Sequence, residues 1–346
     1  MCVGGASFTE DPILCSEHRY NFGYQERMPR LQKSVGDGGN CMLTFGRLIT
    51  AVVTPFDKQG SVDYETFGRL VEGLVDAGND SIVVTGTTGE SPTLSEKERF
   101  QLYREALAAV GDRACVIAGT GGNHTAESVH LSREAAEIGV HGLLQVTPYY
   151  NKPPQDGLVA HFKEIAAATP LPNILYNVPA RTSLNMTADT VARLSAVENI
   201  IGVKEASADF DQIGEIARTA EEGFQIYSGN DSDTFLILAL GGVGVISVQS
   251  HVVSTETRRM IDSFVDGDFE AARRQHLRLL PIARALFPAG WANPIAVKAA
   301  LTMSGFSVGV PRSPLIELPA TMQDGLRQVL DSYELDPFLQ AADVRA

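Results

Sequence analysis

From Leu48 onward, short runs of apolar and mostly branched residues alternate with longer stretches whose apolar positions recur every three to four residues. The short runs are Leu48–Val53, Ser81–Thr85, Ala114–Ala118, Gly142–Thr147, Asn173–Val178, Ile200–Lys204, Gln225–Ser228 and Val243–Val248. A run that is apolar throughout predicts a strand covered on both faces, as in a parallel sheet. Between the runs, Tyr64–Ala77, Glu96–Val110, Thr125–Ile138 and Asp211–Ala220 have the helical period, with Ser95, Thr187 and Asp231 as expected N-caps. Eight successive βα units predict a closed parallel (β/α)8 barrel. An open doubly wound sheet would want a glycine fingerprint opening its first helix, and Val53-Thr54-Pro55-Phe56-Asp57 has none.

After Gly267 the strand pattern stops. Helical patterns at Phe269–Leu286, Ile295–Met303 and Met322–Leu335 follow, separated by Pro288, Pro311 and Pro319. The expected organisation is therefore a tail over 1–41, the barrel over 42–266 and a small helical C-terminal domain over 267–346. The tail has no sustained periodicity and ends in Gly36-Asp37-Gly38-Gly39-Asn40. Because Met42 directly precedes the first strand, the tail reads as an upstream translation artefact; its acidic residues argue against a targeting peptide.

Composition narrows the function. With 346 residues, 44% of them hydrophobic and 20% charged, the chain has the profile of a globular protein. A net charge of −14 argues against nucleic acid and anionic membranes as partners. No stretch nears the roughly 20 apolar residues that span a bilayer, and the N-terminus lacks a secretory layout, so a cytoplasmic location is expected. Cys2, Cys15, Cys41 and Cys115 show no CxxC spacing and the histidines form no HExxH, so no metal site is expected and all four cysteines read as reduced thiols.

Candidate chemistry gathers at the strands' C-terminal ends, where barrels of this class carry their sites. Lys204 closes the run Ile200-Ile201-Gly202-Val203-Lys204, and Tyr176 lies in Ile174-Leu175-Tyr176-Asn177-Val178-Pro179. An amine brought into low-dielectric surroundings loses its proton more readily and can attack a ketone to form a Schiff base. The alternative for Lys204 is a solvated strand end or an ion pair with Glu205. The loop Gly86-Thr87-Thr88-Gly89-Glu90-Ser91 offers two hydroxyls and turn amides suited to a small carboxylate, with no following Gly-Lys-Ser of a nucleotide loop. If its glycines serve only a tight turn, positive φ explains them but not the hydroxyls. Tyr149 and Tyr150 follow strand four, Arg181 follows strand five, and Gly229 follows strand seven. A tyrosine titrates near 10, so Tyr176 needs a neighbouring hydroxyl or cation to shuttle protons, which Thr87 and Lys204 can supply. Arg181 suits two-pronged binding of a carboxylate.

In combination these residues resemble the dihydrodipicolinate synthase family of class I pyruvate-dependent lyases, over roughly residues 46–318. The resemblance rests on Gly86–Ser91, Val146-Thr147-Pro148-Tyr149-Tyr150-Asn151-Lys152-Pro153, Tyr176-Asn177-Val178-Pro179-Ala180-Arg181-Thr182, Gly202-Val203-Lys204-Glu205-Ala206, and Asn293-Pro294-Ile295 with Lys298. It implies that Lys204 forms the imine with pyruvate, Tyr176 moves protons, and Thr87 and Tyr150 complete the relay, Tyr150 reaching into a neighbouring subunit's site. It further implies that Thr88 holds the pyruvate carboxylate, Gly229 and Ile246 line the pyruvate pocket, and Arg181 receives the carboxylate of L-aspartate 4-semialdehyde. The implied product is 4-hydroxy-tetrahydrodipicolinate, made for lysine and diaminopimelate, with no metal or organic cofactor and a homotetramer (dimer of dimers) as the assembly.

Two departures stand out. Asn230 occupies a position where the family usually has aspartate. Ser91, Asn123, Glu127 and Tyr149 match a feedback site for lysine, but Glu96 and Arg99 replace two histidines found in strongly inhibited members. Sialic-acid lyases and keto-deoxy-sugar aldolases share the barrel, lysine and tyrosine; Arg181 and the Gly86-Thr87-Thr88 opening argue against them. A non-catalytic pyruvate or lysine sensor would be expected to have a broken relay, whereas Lys204, Tyr176, Thr87 and Tyr150 are all present.

Overall fold

The structure, a computed structural model, describes Met1 and residues 45–340. Apart from Met1, the tail expected over 1–41, with Cys2, Cys15 and Cys41, lies outside the described residues.

Eight short strands run β1 Leu48–Ala51, β2 Ser81–Val84, β3 Cys115–Gly119, β4 Gly142–Val146, β5 Asn173–Asn177, β6 Ile200–Glu205, β7 Gln225–Ser228 and β8 Gly244–Ser247. Each pairs in parallel with the next, and β8 returns to β1 in the register Ile49 to Ile246, closing the barrel as expected. Strand residues alternate in duty although nearly all are buried. Ile49, Val83, Ile117, Leu144, Ile174, Tyr227 and Ile246 fill the interior, whereas Leu48, Ile82, Val116, Leu143 and Val245 pack beneath helices. Two buried faces per strand explain why the sequence shows continuous apolar runs.

The helices are α1 Tyr64–Asp76, α2 Glu96–Val110, α3 Thr125–Ile138, α4 Gln155–Ala166, the single turn α5 Pro179–Thr182, α6 Ala188–Ser195, α7 Phe210–Thr219, α8 Thr234–Ala239 and α9 Ser250–Val265. The α10 helix Phe269–Ala285, α11 Ile295–Met303 and α12 Ala320–Leu330 follow, and their buried faces join the apolar layer beneath α1 and α9. Ser95 caps α2 in a reciprocal capping box with Glu98, and Thr187 caps α6.

Three expectations are corrected. Asp231 is not an N-cap: it lies inside a 3₁₀ turn, and its buried carboxylate accepts from Ser247 Oγ at 2.5 Å and from the amides of Val248 and Gln249. Its partners sit at the end of β8, beyond the reach of local spacing. The last helix stops at Leu330 rather than Leu335. The chain then turns so that Asp336 accepts from the amides of Ser254 and Thr255, just past Val253, where α9 is kinked (φ −136°, ψ 44°). A kink frees backbone N–H groups that must find partners when buried. Finally, Cys115 at the start of β3 is disulfide-bonded, so the reading of all four cysteines as reduced thiols does not hold. Sequence spacing is blind to cysteines joined only by folding.

Candidate active site

Lys204 and Tyr176 occupy matching positions on adjacent strands, and the same register continues from Lys204 to Tyr227 on β7. Both point into the barrel, where Lys204 is 5% and Tyr176 6% exposed. The Lys204 ammonium sits 4.4 Å from the centre of the Tyr176 ring. Burial brings the Lys204 amine down from its ordinary 10.5 to about 8; the Asp231 carboxylate opposes that fall and the Arg181 guanidinium adds to it. Burial pushes the Tyr176 phenol up, so it stays protonated at neutral pH, while Arg181 and the Thr87 hydroxyl pull the other way. An amine made nucleophilic thus faces a phenol that holds its proton.

The Gly86–Ser91 loop follows β2 directly. Its turn is closed by Gly89 N–H to Gly86 O at 3.1 Å and Glu90 N–H to Thr87 O at 3.1 Å. The left-handed residues here are Thr85 (φ 55°) and Glu90 (φ 57°), not the glycines. Gly89 is instead favoured by close approach: a Cβ there would lie a tight 3.2 Å from Thr85 backbone atoms and from Val52 O. Thr88, 2% exposed, accepts at its hydroxyl from Asn293 Nδ2 at 2.9 Å. The Asn293 carbonyl in turn accepts from Arg181 Nη2 at 3.0 Å. Asn293 therefore links the threonine loop to Arg181, a function its sequence position gives no sign of, beyond membership of Asn293-Pro294-Ile295.

Gly229 lets β7 approach β6, since a Cβ there would come within 2.7 Å of Ala206 Cβ. Ile246 is wholly buried in the barrel interior. Asn230 spends its side chain on Asp233, donating to its carboxylate at 2.8 Å. Tyr150 stands apart. Its side chain is 90% exposed, on a backbone held at φ 73°. Within one chain it does not join Lys204. A bulky residue in the left-handed region is unusual and is held there only by its surroundings.

A cavity of about 200 Å³ opens beside this group, with Thr87, Arg181, Ser91, Arg99, Glu127 and Tyr149 in its lining. Three of the four residues expected to form a feedback site thus line one cavity, and the fourth, Asn123, donates to the Tyr149 carbonyl at 3.2 Å. Arg99 donates to the Ser91 carbonyl at 2.6 Å, and Glu96 pairs with His130 at 3.1 Å. A larger cavity, about 620 Å³, lies elsewhere, between Phe56–Gln59, α11 and residues 307–323. Neither cavity is lined by Lys204 or Tyr176 themselves, but the smaller one reaches Thr87 and Arg181, both of which act on Tyr176.

A parallel (β/α)8 barrel with a desolvated amine on β6 beside a phenol on β5 defines a class: barrel lyases equipped for imine chemistry. The family model of the dihydrodipicolinate synthetase family matches residues 44–333. A 4-hydroxy-tetrahydrodipicolinate synthase from Symbiobacterium thermophilum is 53% identical over 290 residues, covering 84% of this chain and 98% of its own. The crystal structure of a dihydrodipicolinate synthase from Bacillus anthracis superposes with a TM-score of 0.82 at 44% identity, covering 85% of this chain and all of that one. Another, from Cyanidioschyzon merolae with lysine bound, gives 0.81 at 46% identity, covering 83% and 98%. The chain belongs to the dihydrodipicolinate synthetase family and is an enzyme of the lyase type. Among the described residues no helix is long and apolar enough to cross a membrane.

Proposed function

We propose that the chain condenses pyruvate with L-aspartate 4-semialdehyde to give 4-hydroxy-tetrahydrodipicolinate and water, in lysine and diaminopimelate synthesis. The observation that carries this reading is Lys204: an amine in the barrel interior, brought down to about 8, against the Tyr176 ring. Neutral Lys204 adds to the pyruvate ketone, and the carbinolamine loses water with Tyr176 handing over and taking back the proton. The imine then yields an enamine whose carbon attacks the aldehyde of the second substrate. That substrate's own amine displaces Lys204, closing the ring and freeing the enzyme.

Thr88, tied to Asn293, is read as the donor to the pyruvate carboxylate, with Gly229 and Ile246 shaping that pocket. Arg181, fixed by the Asn293 carbonyl, is read as the cation for the aldehyde's carboxylate. Thr87 and Tyr150 complete the proton relay. The exposure and left-handed backbone of Tyr150 support its serving a second copy of the chain, in a homotetramer built as a dimer of dimers. That Ser91, Glu127 and Tyr149 line one cavity supports a lysine site, with Arg99 in place of a histidine. We read the enzyme as cytoplasmic.

The test is an assay with both substrates, coupled to an added reductase and NADPH, with Lys204→Ala as control. Turnover in the native chain, lost in the control, is expected; pyruvate-dependent turnover surviving in Lys204→Ala contradicts the mechanism. In the same assay, with pyruvate below saturation, millimolar lysine lowers the rate. An unchanged rate removes the feedback site.

A further inference from the structure

Glu90 and Lys298 form an ion pair at 2.7 Å with both side chains 1% exposed. The other Glu90 oxygen accepts from the Arg312 amide at 2.8 Å. Lys298 lies 4.1 Å above the Phe56 ring, which meets the Arg312 guanidinium at 4.3 Å. Arg312 is itself held by Glu98, Gly60 O and Thr93 O. A buried ion pair is weak evidence of stability, because desolvating two charges offsets much of their attraction and well-packed apolar residues often serve the fold as well. What it offers that apolar contact does not is direction.

That direction is applied at one place. Glu90 has a strained left-handed backbone, its N–H closes the turn onto Thr87 O, and it lies two residues after Thr88. The α11 helix and the residues just before it therefore grip this turn twice, through Asn293 on the Thr88 hydroxyl and through Lys298 on the Glu90 carboxylate. We propose that Lys298 is a positioning residue for the reaction: acting through Glu90, it holds the Thr87–Thr88 turn in the geometry that receives the pyruvate carboxylate. This rests on reading Thr87 and Thr88 as contributors to pyruvate binding and proton relay.

The test uses Lys298→Met and the charge-free pair Glu90→Gln with Lys298→Met, measuring thermal midpoint and steady-state kinetics. Lys298→Met leaves a buried carboxylate without its cation and loses both stability and activity. The charge-free pair regains the thermal midpoint, yet its kcat/KM for pyruvate stays about tenfold or more below native, with KM for the aldehyde within about twofold. A purely structural tie would restore both quantities together. A folded double variant with native kcat/KM for pyruvate overturns the proposal, and so does a double variant that fails to fold, since the tie would then serve stability. Native enzyme that fails to trap pyruvate at Lys204 under borohydride refutes the pyruvate reading itself. Native enzyme that traps it, beside a fully active double variant, refutes only the role of Lys298.

Discussion

A lysine ordinarily titrates near 10.5, and burial in the barrel brings Lys204 to about 8. At neutral pH this raises the neutral fraction of the amine roughly three-hundredfold. The expected consequence is a kcat/KM for pyruvate that climbs about tenfold per pH unit below 8 and flattens above it. Profiles measured on the purified enzyme check this, and a flat response between pH 6 and 8 contradicts it. Lys204 was legible in the sequence because the signal is local: a charged residue closing an apolar run. Thr88 and Arg181 were legible through their loops, yet the Asn293 carbonyl and side chain that join them were not, because that link spans more than a hundred residues. Asp231 misled for the same reason. A carboxylate before a helical stretch resembles a cap, and only the folded barrel brings Ser247 and the amides after β8 to it.

The strands were legible almost to the residue, since burial on both faces leaves few polar positions to blur their edges. Helix ends followed where capping chemistry is local, as at Ser95, and failed at α12, where Asp336 is drawn off to serve the α9 kink. Where the barrel closes, His251 is wholly buried; its Nδ1 donates to Val248 O at 2.8 Å and its Nε2 accepts from the Val53 amide at 3.1 Å. The ring thereby ties the segment after β8 to the segment after β1. Burial pulls this ring from 6.5 down to about 4. The folded protein keeps it neutral where the unfolded chain protonates it, so its contribution is complete above pH 6.5 and declines as pH falls toward 4. Native protein is therefore more stable than His251→Gln at pH 7, and the gap narrows by up to about 3 kcal/mol as pH falls through that window. Denaturant unfolding at several pH values checks this, and a gap that does not change with pH contradicts it.

At the scale of the whole molecule, one chain presents a nearly complete site and an outlying tyrosine. If Tyr150 serves a neighbouring copy, Tyr150→Phe and Lys204→Ala are complementary defects. Mixing the two weak or inactive variants under subunit exchange restores about a quarter of native activity in dimers, because half are hybrids with one intact site each. No gain on mixing, with exchange verified, contradicts the shared site. The barrel itself was legible because eight βα units leave few ways to close. The Glu90–Lys298 pair was not, since it joins segments that no sequence period relates.

The central claim is that Lys204 carries the substrate as an imine. The most direct test is to treat the enzyme with pyruvate and borohydride, digest it, and locate the added mass by mass spectrometry. The added mass of a reduced pyruvate adduct on the peptide bearing Lys204, absent when pyruvate is omitted, is the predicted result. An unmodified Lys204 peptide, or an adduct fixed at another lysine, would contradict the account.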